Sequence, residues 1–564
     1  MEKPTLSVAS VDLEARWRRL WRSPLLLPLT VFSVSLAAAL RTAMQGTDGR
    51  LIYSLDDAYI HMAVARNFAS DGLWGCTPFH FSSSSSSLLW TFLLGIAYRA
   101  VRVHDVTPLV LNVALAVVTL AVTNRYLARF GAPPVLRATA LLGIVVAFPM
   151  TGMVLMGMEH ILHLLLTIWF AAAAVEALTS RPEDPRARRR QTIGLCILAA
   201  LLGASRYEGF FLIGLVCLGF LARRQLLRGV SIGAAAFLPV AAFGAISVAN
   251  GAFFLPNSLM LKAAGESVSA VSAFFKPFGA EDLAFLQNNR ALPIFLVIGV
   301  LGALGHWYSR RDVWLPQVLL PFLLASMIVL HGHYVFSPLY WVYRYDAYLV
   351  GFGIFVTAVV LAGLRVPGVL PRRFLPALLV ASLVMIVADV REGLVASTEV
   401  AGMRNTYLEQ YQTARFIRTY YPGEAVIVND LGAVTYFTRA RILDLAALGD
   451  IEPLEIMRRT GSYTSRDVLA WTAKYRPAIA VISLGWGWVA PLVPSEWIKV
   501  AEIEVPPNRV RVGFFAVDPK EAWALRAKVS EHFSPLLRVP GYRLKLRSPE
   551  KVRELTEGAP AASR

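Results

Sequence analysis

Asp56 and Asp57 stand side by side in SLDDAYIHMAVARNF, residues 54–68, with His61 and an arginine in the same stretch. One acid is enough to cap a helix start, where the helix dipole favours negative charge. Asp56 or Ser54 could cap a helix beginning near Asp57, which leaves a second carboxylate without a local task. Asp57 and His61, at i and i+4, share a face. A carboxylate so placed suits a general base that takes a proton from a hydroxyl. Tyr59, Met62, Val64 and Phe68 would let the same helix lie along a membrane surface.

Other chemistry-bearing residues are scattered through apolar surroundings. In GMEHILH, Glu159 shares a face with His163, and His160 and His163 stand at i, i+3. Such spacing serves a metal site or an ordinary polar helix end. ASRYEGF sets Arg206 and Glu208 between two apolar halves. Charges at that depth are costly and tend to mark function; the alternative is an internal pair bracing a broken helix. FLPNSLMLK adds Asn257 and Lys262, and YRYDAY adds Arg344, each of which alone could be an interfacial anchor. Together the set has carboxylates to deprotonate a hydroxyl and cations to receive a leaving phosphate. It fits transfer of a group from a lipid phosphate to a hydroxyl.

The elements that must hold these residues are mostly membrane helices. The chain is 56% hydrophobic and 16% charged, with a mean hydropathy of +0.53, whereas soluble domains carry about 25% charged residues. Apolar runs at 24–42, 107–122, 160–178, 230–248, 292–306, 313–330, 347–364 and 374–390 read as spans. Shorter or broken candidates lie at 88–99, 137–148, 193–204 and 208–221. The net charge is +17. Its arginines cluster at the ends of apolar runs, which matches the positive-inside rule and anionic head groups rather than nucleic acid as a partner. No small-residue cleavage site follows the first run, so that run is expected to stay as an anchor. Cys76, Cys196 and Cys217 lack metal spacing.

A basic N-terminus inside the cell places the loop 43–87, residues 206–208, 256–262 and 334–345, and everything beyond 390 on the outside. An odd number of crossings is then required. About 11 spans are expected, with one segment between 88 and 221 not crossing fully. From 400 to 545, strand and helix signals alternate; EAVIV, ARILDL, AIAVISL and VRVGFFAVD read as strands. The expected organisation is an amphipathic cytoplasmic segment (1–23), a helical transmembrane catalytic domain (24–390), an extracytoplasmic α/β domain (391–550) and a disordered tail (551–564). The six serines at 82–87 read as a flexible loop, with Ser87 capping the next helix.

LDDAYIHMAVARNFASDGLWG followed by FSSSSSSLLWTFLL resembles the first outer loop of GT-C polytopic glycosyltransferases. Among these it is most similar to the mycobacterial-type arabinofuranosyltransferase branch and its uncharacterised bacterial relatives. Further matches are Gly157-Met158-Glu159, the RYEG run from Arg206 to Gly209, and Pro256, Asn257, Ser258 and Lys262. The outer motif DLGAVTYFT…ILDLAALGD is also similar. The chain departs from the pattern at His160, Tyr207 and Leu88, where Thr, Pro and Pro are usual. The resemblance implies an all-α GT-C membrane domain followed by a small α/β domain, in the bacterial cytoplasmic membrane. It implies a polyprenyl-phosphate-linked sugar donor and a cell-envelope glycan or glycolipid acceptor on the extracytoplasmic face. Asp57 or Asp56 would be the base of an inverting displacement. Arg206, Lys262 and Arg344 would meet the donor phosphate, and His61, Glu159, Glu208, Asn257 and Ser87 would line the cavity. No cofactor is required by such a scheme, though a divalent metal among Asp57, His61, Glu159 and His163 stays open. The rival reading is a transporter or flippase of a lipid-linked substrate. It calls for charges spread through the membrane depth and repeated halves, and no repeat is visible.

Overall fold

The computed structural model describes residues 23–180, 183–264, 291–334, 344–363, 380 and 398–557. Six of its helices are long and apolar enough to cross a membrane by length and composition: Leu26–Gln45, Thr107–Arg129, His160–Thr179, Leu226–Ala249, Leu292–Arg310 and Pro316–Tyr334. Four shorter apolar helices join them, Leu88–Val101, Pro134–Ala147, Gly209–Ala222 and Ala347–Gly363. A helix that is apolar on every side belongs in the interior, and His160–Thr179 and Ala347–Gly363 are buried along almost their whole length. Leu226–Ala249 lies at the periphery and exposes Leu227, Val230 and Leu238. Such outward apolar faces are what contact with lipid requires. The expected run 374–390 apart from Val380, the basic loop 365–373, residues 1–22 and 558–564, and most of 334–345 lie outside the described residues.

The C-terminal part is a six-stranded sheet with flanking helices. Its strands are β1 (Ala425–Val428), β2 (Arg441–Asp444), β3 (Ile479–Ser483), β4 (Ile498–Val505), β5 (Val510–Ala516) and β6 (Arg543–Leu546). They lie in the order β2-β1-β3-β5-β4-β6. β1 runs parallel to both its neighbours, while β5, β4 and β6 are antiparallel additions. The four anticipated apolar runs coincide with β1, β2, β3 and β5. β4 and β6 were not anticipated. In β4, Lys499, Glu502 and Glu504 interrupt the apolar signal; β6 is a four-residue edge strand, RLKL, whose charges protect an edge. The tail anticipated from 551 is partly a helix, Pro549–Glu557, because Val552 is buried against the sheet domain.

One continuous hydrophobic core joins the two parts, running from Phe32 and Tyr59 in the helical part to Phe416 and Phe514 around the sheet. The Asp56–Asp71 helix sits at this junction and packs against Leu88–Val101 on one side and Gly432–Phe437 on another.

Candidate active site

The Asp56–Asp71 helix begins after an extended Leu55 that supplies no side-chain cap, and it ends at left-handed Gly72. Neither Ser54 nor Asp56 caps it, contrary to the sequence expectation. Ser54 Oγ donates instead to Glu399. Nor does the helix lie along a surface: Tyr59, Met62 and Val64 are fully buried. Tyr59 is enclosed by Tyr53, Tyr436 and Phe437. The helix is therefore a buried strut, and its first turn projects two carboxylates in different directions.

Asp56 faces the sheet domain. The backbone N–H groups of Gly432 and Ala433 donate to its two carboxylate oxygens at 2.6 and 2.7 Å. Asp56 thus caps the Gly432–Phe437 helix, which follows β1. A sheet of this kind binds anions at a helix start beyond the carboxyl end of a central strand, and here the chain's own carboxylate fills that place. Gly432 has to be glycine: a Cβ there would stand 2.2 Å from the Asp56 carbonyl oxygen. Burial and the neighbouring Asp430 carboxylate push Asp56 well above the usual carboxylate range. Next to them Glu409 accepts from Ser483 Oγ and Asn405 Nδ2, and burial followed by Asp430 raises it to about 8. Sequence reasoning missed Glu409 and Asp430. For Asp430 the available signal was an acid two residues past the AVIV strand, in VNDLGAV.

Asp57 faces away from that contact. Its Oδ2 lies 2.7 Å from Arg344 Nη1, and its side chain is 43% exposed against 8% for Arg344. Arg344 stacks over Tyr345 and reaches Met158 Sδ. The Asp57–Arg344 pair is therefore buried on its cationic side and accessible on its anionic side.

Beyond this pair lies a buried polar cluster. Gly157 takes a left-handed conformation against the Tyr53 ring, where a Cβ would clash at 2.6 Å. Trp90 Nε1 donates to the Gly157 carbonyl and Asn112 Nδ2 to the Met158 carbonyl. This pinned turn delivers Glu159, which is completely buried. Arg206 Nη1 donates to Glu159 at 2.7 Å and Nη2 to Glu208 at 2.8 Å. Arg206 is thus neutralised by two carboxylates, which is the bracing arrangement between apolar halves. His61 Nε2 is 3.6 Å from Glu159, and its Nδ1 meets Ser85 Oγ and Thr91 Oγ1. Burial lowers its pKa and favours the neutral ring. His163 Nδ1 contacts Ser205 Oγ. Among the described residues no group of three His, Cys, Asp or Glu is placed to hold a metal ion.

The serine run is not the flexible loop anticipated. Ser82, Ser83, Ser84, Ser85 and Ser87 are all buried. Ser82 and Ser84 bond Cys76, Ser85 bonds Thr91, and Ser87 caps Leu88–Val101 by accepting from Trp90 N–H. Asn257 reaches across to the sheet domain, where its Nδ2 donates to the Leu448 carbonyl. Lys262 lies in the helix Asn257–Ala264, and its side chain falls outside the described residues.

A family model described as a domain of unknown function, DUF8728, matches residues 401–522, the heart of the sheet domain. No curated protein matches the chain. The fold is similar to that of ArnT from Cupriavidus metallidurans bound to undecaprenyl phosphate. Identity is 15%, the match covers 86% of this chain and 98% of that one, and the TM-score is 0.50. This chain has the GT-C fold. The archaeal oligosaccharyltransferase AglB from Archaeoglobus fulgidus, in complex with an inhibitory peptide and a dolichol-phosphate, matches at 13% identity. That match covers 88% of this chain and 77% of that one, with a TM-score of 0.47.

Proposed function

We propose that this chain is a membrane glycosyltransferase that moves a sugar from a polyprenyl-phosphate donor to a hydroxyl of a cell-envelope acceptor. The reaction takes place on the extracytoplasmic face. The observation that carries the reading is the division of labour in one helical turn: Asp56 fastens the sheet domain, while Asp57 stays accessible beside Arg344. The fold shared with ArnT, whose structure holds undecaprenyl phosphate, supports a lipid-phosphate donor.

In this reading Asp57 accepts the proton of the acceptor hydroxyl. The acceptor oxygen forms its bond to the anomeric carbon from the face opposite the phosphate. The bond from that carbon to the phosphate oxygen breaks, and polyprenyl phosphate leaves with the electron pair. Arg344, adjacent to Asp57, is placed to orient the carboxylate and to meet developing phosphate charge. Arg206, already balanced by Glu159 and Glu208, serves the cavity wall rather than the phosphate. His61, Ser87 and Asn257 shape the same wall.

The test is direct. Purified full-length protein in detergent is incubated with radiolabelled polyprenyl-phosphate sugars and an envelope-lipid extract. Release of polyprenyl phosphate together with a new labelled product supports transfer. Failure to consume any donor, combined with passage of a lipid-linked substrate across reconstituted vesicles, would replace the transferase by a transporter.

A further inference from the structure

A second cleft, away from the Asp57 pair, has an unusual charge balance. It encloses about 630 Å³ between residues 49–52, the segment after Leu88–Val101, Arg66, and the Gln412–Tyr420 helix of the sheet domain. Four arginines line it, Arg50, Arg66, Arg415 and Arg418, against one carboxylate, Asp105. Asp105 accepts a hydrogen bond from Tyr436 OH at 2.7 Å. Among the described residues none of the four guanidiniums lies within 4.0 Å of a carboxylate. The contrast with Arg206, which has two, is sharp.

Three of the four guanidiniums are also held in place. Arg66 donates to the carbonyls of Thr435, Tyr436 and Thr438 and to Asn67 Oδ1. These bonds anchor the side chain without cancelling its charge. Arg50 stacks over Tyr411 at 5.5 Å, and Arg415 Nη1 donates to Gln412 Oε1 at 3.3 Å. Arg50, Arg415 and Arg418 remain exposed. Prior ordering lowers the cost of binding, and planar guanidiniums match phosphate oxygens in pairs.

Position narrows the ligand. Two walls follow the ends of apolar helices, Leu26–Gln45 and Leu88–Val101, and Val101, Val103 and Val106 are exposed at that rim. A cationic cleft beside an exposed apolar rim suits a molecule with an anionic head and an acyl end. We propose that this cleft binds the phosphate of an anionic membrane lipid between Arg50, Arg415 and Arg418. The inference rests on the membrane placement of the apolar helices and not on chemistry at Asp57. Arg66 and Asp57 share one helix, nine residues or ~14 Å apart along its axis, so one strut would connect this ligand to the transfer site.

The experiment titrates purified full-length protein in detergent with dioctanoyl phosphatidylglycerol. Dioctanoyl phosphatidylcholine and inorganic phosphate are the comparison arms. The anionic lipid binds the unaltered chain, and Arg415→Glu/Arg418→Glu weakens it at least ~10-fold, the loss of about one charge-assisted contact. Arg50→Glu, on the opposite wall, weakens it too, and melting temperatures confirm that both variants fold. Unchanged affinity in folded variants overturns the proposal, as does equal affinity for phosphatidylcholine. Inorganic phosphate binding as tightly as the lipid overturns the lipid source. Asp57→Asn leaves this binding intact, so failure here is distinguishable from failure of the transferase reading.

Discussion

Asp56 and Asp57 share one chemistry and differ in what the fold sets before them. Asp56 meets two N–H groups of a helix start; Asp57 meets a buried arginine and solvent. The sequence showed that two adjacent acids at one helix start have separate tasks, and that part was legible. That Asp56 serves a different helix start rather than its own was not legible, because its partner lies 376 residues further along the chain. Arg206 gives a second residue-scale lesson. Its types and setting admitted both a phosphate ligand and an internal brace, and the distances to Glu159 and Glu208 favour the brace. Arg206→Met should therefore leave two acids without a counter-charge and cost ~3–5 kcal/mol of stability. Denaturation midpoints in detergent measure this. Glu159→Gln/Arg206→Met/Glu208→Gln should recover most of the loss, and a fully stable Arg206→Met would refute the brace.

At the scale of elements, the contact between Asp56–Asp71 and Gly432–Phe437 couples the helical part to the sheet domain. Gly432→Ala places a methyl against backbone as well as carboxylate, so the two helices must move apart. A misplacement of about 1 Å can cost roughly 10²-fold in rate. Gly432→Ala should therefore slow transfer by that order and speed amide exchange in Gly432–Phe437. Wild-type transfer by this variant would detach the sheet domain from the catalytic geometry. Sequence pattern served long or strongly apolar elements best. It served poorly where polar residues are buried by distant partners. Serines 82–87 look like a linker by composition, yet the structure uses their hydroxyls to satisfy Cys76, Thr91 and a helix start. The edge strand β6 and the charge-interrupted β4 gave no strong local signal for the same physical reason: sheet pairing, not propensity, holds them.

For the whole molecule, the shared core makes the helical part and the sheet domain one working unit. The fold likeness to ArnT covers both parts together, since it spans 86% of this chain. Within it, residues far apart in sequence, Asp57, Arg344 and Gly432, come together around the Asp56–Asp71 helix. The arginine cleft went unseen in the sequence because its four arginines come from three separated stretches. The central claim is that Asp57, not Asp56, takes the acceptor proton. The most direct measurement is single-turnover transfer from a polyprenyl-phosphate sugar by Asp57→Asn and Asp56→Asn, with donor affinity and melting temperature recorded for each. Asp57→Asn should lose ~10²–10⁴-fold in rate with donor affinity and melting temperature unchanged, while Asp56→Asn should lower the melting temperature. A folded Asp57→Asn that transfers at the wild-type rate would contradict the account.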